Sequence, residues 1–132
     1  MKKKPSLPTT PSVPTDQKSL MLAALLDEKQ GEDIILLDVS GICPIAEHII
    51  IVTGRGQRHA QSLADAATKL AKEQKFVSFG KEGYEAGSWI LVDLNDVIIH
   101  IFQDDVRHLY NIEGLWSEGK RLAAPTGVQR ED

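Results

Sequence analysis

Two apolar segments separated by two turn residues constrain the fold of this chain more than any other feature. Residues 89–94 (WILVDL) and 97–102 (VIIHIF) flank Asn95 and Asp96. Asparagine and aspartate tolerate the positive φ angles that a two-residue β-hairpin turn requires. The spacing therefore predicts an antiparallel hairpin whose turn is formed by these two residues.

The predicted turn also fixes which residues face each other, with Leu91 opposite His100 and Trp89 opposite Phe102. Because side chains alternate along a strand, the hairpin has two chemically different faces. One face is uniformly aliphatic and should be core: Ile90, Val92, Leu94, Val97, Ile99 and Ile101. The other, here called the mixed face, combines aromatic, carboxylate and imidazole groups: Trp89, Leu91, Asp93, Ile98, His100 and Phe102. We expect the function of the protein to lie on or beside the mixed face.

The remaining segments predict an α/β fold in which helices pack on a small mixed β-sheet. Helical spacing of apolar residues marks residues 18–29 and 57–74, and a third helix begins at Asp104. Three short strands are predicted ahead of the hairpin, at residues 33–39, 47–53 and 76–79. The expected order is α-β-β-α-β-β-β-α in a single layered domain.

This domain is expected to span residues 18–122. Residues 1–17 carry three lysines and a proline at every third position from Pro5 to Pro14, the period of a polyproline II helix. Such a segment is typical of a disordered leader, and a docking ligand for an aromatic groove is the alternative. Residues 123–132 are expected to form a disordered tail.

Charge and composition narrow the classes of partner. The 132 residues include 15 Lys and Arg against 19 Asp and Glu, a net charge of −4. The first 17 residues carry Lys2, Lys3, Lys4 and Asp16, a net charge of +2, which leaves −6 for the remainder. An acidic domain is a poor binder of nucleic-acid backbone, so we expect little or no direct nucleic-acid binding. It suits a basic protein partner, although the charge can also serve solubility alone.

The sequence contains a single cysteine, Cys43, so no internal disulfide can form. This fits a reducing compartment, and the expected localisation is cytoplasmic. No apolar segment approaches the roughly 18 residues that a membrane-spanning helix needs, so no membrane association is expected.

Residue spacings typical of catalysis are weak in this chain. Two-metal nucleotidyl transfer needs converging carboxylates, typically at i and i+2 of one strand, and no such pair is found. The four histidines lack metal-ligand spacing, so neither a metal site nor a cofactor is expected. Asp93 and His100 are diagonal neighbours on the mixed face and could orient a base. No Ser or Cys nucleophile lies beside them, and a structural polar pair is the favoured interpretation.

Large aromatic residues are concentrated in and after the hairpin. Trp89, Tyr110 and Trp116 stand out in a chain with only 5% aromatic residues, and Arg107 lies one helical turn before Tyr110. Trp, Tyr and Arg are enriched at binding hot spots. Either core packing or a protein interface explains this concentration.

The sequence resembles the ribosomal silencing factor family, also called the Iojap family, over residues 18–117. The resemblance is carried by LLDVSG at 36–41, IIIVTG at 49–54, the hairpin segment at 89–102, and the pattern R-x-x-Y-x-x-E-x-L-W from Arg107 to Trp116. It implies a nucleotidyltransferase-like α/β fold that has lost its catalytic carboxylates. The protein is accordingly expected not to be an enzyme.

The resemblance also implies a function. Family members bind ribosomal protein fourteen of the large ribosomal subunit and block joining of the small subunit, which represses translation. Carried over by position, the residues expected to contact the partner are Trp89, Leu94 and Tyr110. Those expected to support that surface are Asp93, His100 and Arg107.

Two other functions remain open at the sequence level. One is an adaptor in ribosome biogenesis, which could act as a homodimer through the hairpin or an open sheet edge. The other is a nucleotide-handling enzyme with residual transferase activity, which would need magnesium.

Overall fold

The computed structural model describes residues 13–111, 114 and 119–122. The elements in chain order are α1 (Thr15–Glu28), β1 (Glu32–Asp38), β2 (His48–Gly54), α2 (Gln57–Gln74), β3 (Gly80–Glu82), β4 (Trp89–Asp93), β5 (Val97–Gln103), α3 (Asp104–Tyr110) and β6 (Lys120–Leu122). The predicted α/β class and the predicted order are confirmed as far as α3, and β6 is an additional strand.

The strands form one six-stranded mixed sheet in the order β3-β4-β5-β2-β1-β6. Its centre is the parallel pair β2 and β5, in which Ile50 lies beside Ile99. All other neighbours are antiparallel. Both central strands are buried along nearly their whole length, which explains why they are rich in isoleucine and valine.

The hairpin between β4 and β5 has the predicted register. Leu91 pairs with His100 and Trp89 pairs with Phe102. The turn is closed by Leu94, whose backbone N–H donates to the carbonyl of Val97 over 2.9 Å. Asn95 has a φ of 77°, as expected for the first turn residue of a tight hairpin.

The aliphatic face of the sheet is covered by the two long helices. Its core includes every aliphatic residue predicted for that hairpin face, together with apolar residues of α1 and α2. The residues of α2 that face the sheet are mostly alanine, so the helix can approach closely. A Cβ at Gly54 would lie 3.0 Å from the Cα of Ala60, so any larger residue would crowd the backbone of α2 where it packs against the end of β2.

The mixed face is covered more thinly. Ile98 and Phe102 pack there with Ile49 and Ile51 of β2 and with the loop that follows β1. From the last helix, only Val106 joins this second core among the residues that the structure describes. The face therefore has a buried centre and an open border.

A buried ion pair joins α1 to the hairpin turn. Lys18 is 5% exposed, and its Nζ donates to Oδ1 of Asp96 and to the carbonyl of Leu94, each over 2.6 Å. Thr15 Oγ1 donates to the other carboxylate oxygen of Asp96 over 2.5 Å. Burial alone would raise the pKa of Asp96, but these hydrogen bonds and the Lys18 charge hold that pKa below its ordinary value.

Two elements lie at positions that differ from the sequence predictions. Helix α1 begins at Thr15 rather than at residue 18, and thus includes residues that the sequence assigns to the leader. The third strand lies at Gly80–Glu82 rather than at 76–79. Phe76 instead closes the end of α2, where its N–H donates to the carbonyl of Ala71. The remaining leader residues 1–12, the predicted tail at 123–132, and Trp116 lie outside the described residues.

We predict that Asp96→Asn lowers the free energy of unfolding by about 2 kcal/mol or more, because it leaves the buried Lys18 ammonium without a carboxylate. Glu32→Gln is the matched control, since Glu32 and its partner Arg55 are both about half exposed. That control should cost less than about 1 kcal/mol. Urea unfolding followed by circular dichroism measures both, and equal losses would contradict a structural role for the buried pair.

Candidate partner-binding surface

Four aromatic rings meet where the open end of the hairpin contacts α3. The ring of Trp89 lies 5.0 Å from that of Phe102, 4.8 Å from that of Tyr110 and 6.0 Å from that of His100, centroid to centroid. We call these four residues the aromatic cluster. Phe102 is fully buried, whereas Tyr110 is 53% exposed. The cluster therefore runs from the second core out to solvent.

Leu109 extends this surface. It is 75% exposed, the largest exposure among the large apolar side chains of the described chain. We call Trp89, Leu109 and Tyr110 together the candidate surface. A large exposed leucine beside an exposed tyrosine on a rigid support is typical of a protein-binding site.

His100 orients Trp89 from below. The indole Nε1–H of Trp89 donates to Nδ1 of His100 over 3.1 Å. Burial lowers the pKa of His100 to about 4, so the imidazole is neutral at pH 7. A neutral ring that accepts at Nδ1 carries its proton on Nε2. The hydrogen bond and the ring contacts together restrict the rotamer of Trp89.

Arg107 attaches α3 to the centre of the sheet. Its side chain is 7% exposed, and Nη1 donates to Oγ1 of Thr53 on β2 over 2.7 Å. The helix begins with Asp104 and Asp105, whose charges suit the helix N-terminus, and ends at Asn111 with a φ of 46°. This attachment presents the outer residues of α3 to solvent.

Asp93 is half-buried near the turn, and its Oδ1 accepts the backbone N–H of Asn95 over 3.0 Å. The carboxylate thus helps to shape the hairpin turn. His100 uses its Nδ1 for Trp89. Asp93 and His100, which were predicted to pair with each other, therefore make these hydrogen bonds at opposite ends of the hairpin.

Leu94 does not lie with the other residues expected to contact the partner. Its side chain is fully buried, with 0% of its surface exposed, and it packs in the core beneath α1 and α2. Trp89 and Tyr110 lie on the opposite side of the sheet. The structure thus brings together four of the six predicted site residues, Trp89, His100, Arg107 and Tyr110, at the open end of the hairpin and on α3. Asp93 lies on the same face but at the turn end of β4, and Leu94 lies on the opposite face.

Two residues that form or support the candidate surface, Phe102 and Leu109, were not among the site residues predicted from the sequence. Phe102 supports Trp89 from the second core, and its place opposite Trp89 in the predicted register was a usable signal. Leu109 follows Val106 at helical spacing, which does not by itself distinguish a core position from an exposed one. Because α3 has only seven residues, it covers little of the sheet and leaves Leu109 outside.

The charge around the candidate surface is negative. Asp104 and Asp105 are exposed on α3, while the Arg107 side chain is buried. Such a border favours approach by a positively charged partner.

The loop before α2 is a weaker candidate for a binding site. Gly56 provides no side-chain cap there, and Nη1 of Arg55 lies 3.7 Å from a carboxylate oxygen of Glu32. Within the described residues, no group of three His, Cys, Asp or Glu side chains is arranged to hold a metal ion. No helix in that part of the chain is long and apolar enough to cross a membrane.

Comparison with known proteins identifies relatives of this chain. A family model described as ribosomal silencing factor during starvation matches residues 13–132. A Halalkalibacterium halodurans protein named ribosomal silencing factor RsfS is 37% identical over 105 residues, which cover 79% of this chain and 90% of the relative. A Mus musculus protein named mitochondrial assembly of ribosomal large subunit protein 1 is 29% identical over 100 residues, 74% of this chain and 44% of that protein.

The fold is also found in a solved structure. A crystal structure of a Chromobacterium violaceum protein matches with a TM-score of 0.78 and 32% sequence identity. The match covers 89% of this chain and 98% of that one. The mixed sheet with its helices is therefore shared along nearly the whole length of the solved protein.

We predict that His100 makes folding stability depend on pH in a window set by its own pKa. An unfolded histidine titrates near pH 6.5, so between that pH and about 4 the unfolded chain binds a proton that the folded chain does not. Stability from neutral His100 is fully present above pH 6.5 and is lost as the pH falls toward 4. His100→Gln, whose amide oxygen can still accept from Trp89, removes this titration.

The difference in free energy of unfolding between pH 7 and pH 4.5 should be smaller in His100→Gln by about 2 kcal/mol. Urea titrations of both proteins at several pH values measure it, and the other titrating groups are common to both. Parallel pH profiles would show that His100 is not neutral and buried in solution.

Proposed function

The chain belongs to the ribosomal silencing factor family, and from that premise we propose that it represses translation by binding the large ribosomal subunit and blocking the joining of the small subunit. The observation that carries the proposal is the half-exposed Tyr110 packed against Trp89, which is itself held by His100 and Phe102. Rigid aromatic anchors lose little conformational entropy on binding, which is why they dominate interface energies.

The proposed partner is ribosomal protein fourteen of the large subunit, as the family resemblance implies. A protein that lies on RNA is expected to be basic. The acidic border of the candidate surface would then steer the encounter, and the apolar anchors would slow dissociation. Repression by this route is steric and requires no catalysis, so occupancy of the subunit alone determines the effect. The cytoplasm, where subunits join, is the proposed place of action.

Within this proposal the predicted site residues have different roles. Trp89 and Tyr110, with Leu109, are the contacts. His100 and Arg107 hold those contacts in place, and Asp93 supports the surface through the hairpin turn that it helps to shape. Because the side chain of Leu94 is buried beneath α1, we assign it to the support of the hairpin turn rather than to contact.

A second candidate function is assistance in the assembly of the large subunit. It is favoured by the name of the mouse relative, which refers to ribosomal large subunit assembly. The same surface could serve both functions, since each begins with binding to the large subunit. They differ in whether joining of mature subunits is inhibited.

We predict that Tyr110→Ala weakens binding to isolated large subunits by about tenfold or more, as expected for the loss of an aromatic hot spot. Leu109→Ala should act in the same direction, because it removes apolar surface that is 75% exposed and available to a partner. Trp89→Phe should weaken binding while keeping the core filled. Affinity is measured by co-sedimentation or interferometry, with folding checked by circular dichroism.

Phe79→Ala is the matched control for these variants. Phe79 is an aromatic residue with 37% exposure that precedes β3, at the sheet edge remote from α3. Its affinity should stay within about twofold of wild type, as for most surface positions outside a hot spot. Equal loss in Phe79→Ala and Tyr110→Ala would remove the candidate surface from the proposal.

We predict that the wild-type protein, mixed with purified large and small subunits, reduces the fraction that forms joined ribosomes in a sucrose gradient. Tyr110→Ala should require about tenfold more protein for the same reduction, in proportion to its affinity. Tight binding to large subunits without any effect on joining would contradict repression and favour the assembly function.

A further inference from the structure

Glu82 brings a carboxylate to the border of the candidate surface. In the sheet, Glu82 pairs with Leu91, and Leu91 pairs in turn with His100, the ring that holds Trp89. Because the side chains of directly paired residues project to the same face, Glu82 lies on the mixed face beside Leu91. Trp89 is its diagonal neighbour on the adjacent strand, at a separation of about 7–8 Å. Glu82 is exposed and Leu91 is half-buried.

The backbone that follows Glu82 is fixed against Trp89. Gly83 has a φ of 79°, and a Cβ at this position would overlap the carbonyl oxygen of Trp89, so a larger residue would be both strained and crowded. The carbonyl of Gly83 accepts the N–H of Gly87 over 3.0 Å, which closes the following loop. The end of β3 that carries Glu82 is therefore held next to Trp89.

The lysine next to Glu82 is engaged on the other side of the sheet. Lys81 pairs with Val92 and thus projects to the aliphatic face. There its Nζ lies 3.5 Å from Oδ1 of Asp65 on α2 and 4.6 Å from the centre of the Tyr84 ring. Among the residues that the structure describes, Glu82 has no ion-pair partner. Its carboxylate is thus available to a cation from another molecule.

An exposed carboxylate beside a half-buried leucine suits a lysine or arginine side chain. Such a side chain can lay its apolar stem on Leu91 while its charged end forms a charge-assisted hydrogen bond with Glu82. The same carboxylate repels phosphate groups, so it opposes the binding of nucleic acid at this border. The chemistry of the border therefore selects a basic protein.

We propose that the candidate surface continues from Trp89 over Leu91 to Glu82, and that Glu82 binds a lysine or arginine side chain of the protein partner. This inference rests on the proposed function, in which the partner is a ribosomal protein that lies on RNA. Glu82 attracts the basic protein and repels the phosphates next to it, so it determines specificity. Trp89 and Tyr110 supply most of the affinity.

The test measures the affinity of the full chain for isolated large subunits at low and high salt, for wild type, Glu82→Gln and Glu82→Lys. Glu82→Gln keeps the shape of the side chain and should weaken binding by about fivefold at low salt. Glu82→Lys should weaken binding further, because it places two cations together. Both losses should shrink at high salt, where charge interactions are screened.

Glu73→Gln and Glu73→Lys are the matched controls. Glu73 is exposed near the end of α2, which covers the other face of the sheet. These variants change the net charge as the Glu82 variants do, and their affinity should stay within about twofold of wild type. Circular dichroism checks that all four variants are folded.

Several results would overturn the inference. Wild-type affinity in both Glu82 variants would overturn it and leave the proposed function in place. Equal losses in the Glu82 and Glu73 variants would show that net charge alone determines the effect. Tighter binding of Glu82→Lys would place RNA phosphate, rather than a cationic side chain, against this border. Absence of wild-type binding would overturn the proposed function and this inference with it.

Discussion

The parallel pairing of β2 with β5 is the constraint on which the rest of the structure depends. Both strands are buried on two faces, and their pairing runs from His48 beside Val97 to Gly54 beside Gln103. A parallel pair requires a long crossover, which is supplied by α2, β3 and β4 before the chain returns as β5. Two faces must then be covered, and α1 and α2 are both used on one of them. Among the described residues, the opposite face is covered by a loop, a seven-residue helix and the aromatic cluster.

This unequal covering places the candidate surface. Ordinary apolar side chains would suffice to close the second core, yet the outer layer is built from groups with polar ends, the indole of Trp89 and the phenol of Tyr110. Such residues can pack inward and still meet water or a partner. The neutral His100 beneath them satisfies the indole N–H without burying a charge, since its pKa near 4 keeps it unprotonated at neutral pH. These contacts therefore restrict the Trp89 side chain in the absence of any partner.

Much of this architecture follows from residue order, and the exceptions have physical causes. The hairpin register follows from the two-residue turn, and α2 begins and ends where its alanine and leucine spacing predicts. Strand β6 contains one apolar residue among three, so only its pairing with β1 identifies it. The pairing of side chains such as Arg107 with Thr53 joins residues 54 positions apart and has no local signal. For Leu94, strand alternation predicted the core and the family resemblance predicted a partner contact, and the observed burial agrees with alternation.

The attachment of α3 explains how so short a helix can present a binding surface. A helix of seven residues is too short to be stable alone, and Val106 is the residue through which it joins the second core. Arg107 adds a second attachment, because its guanidinium reaches the central strand β2 and donates a hydrogen bond to the Thr53 hydroxyl. An attachment through a second apolar side chain would use Leu109. The helix would then have to rotate so that Leu109 faced the sheet. Holding the helix through a buried polar contact leaves both Leu109 and Tyr110 free to face outward. The helix is therefore held against the sheet while Leu109 and Tyr110 remain exposed.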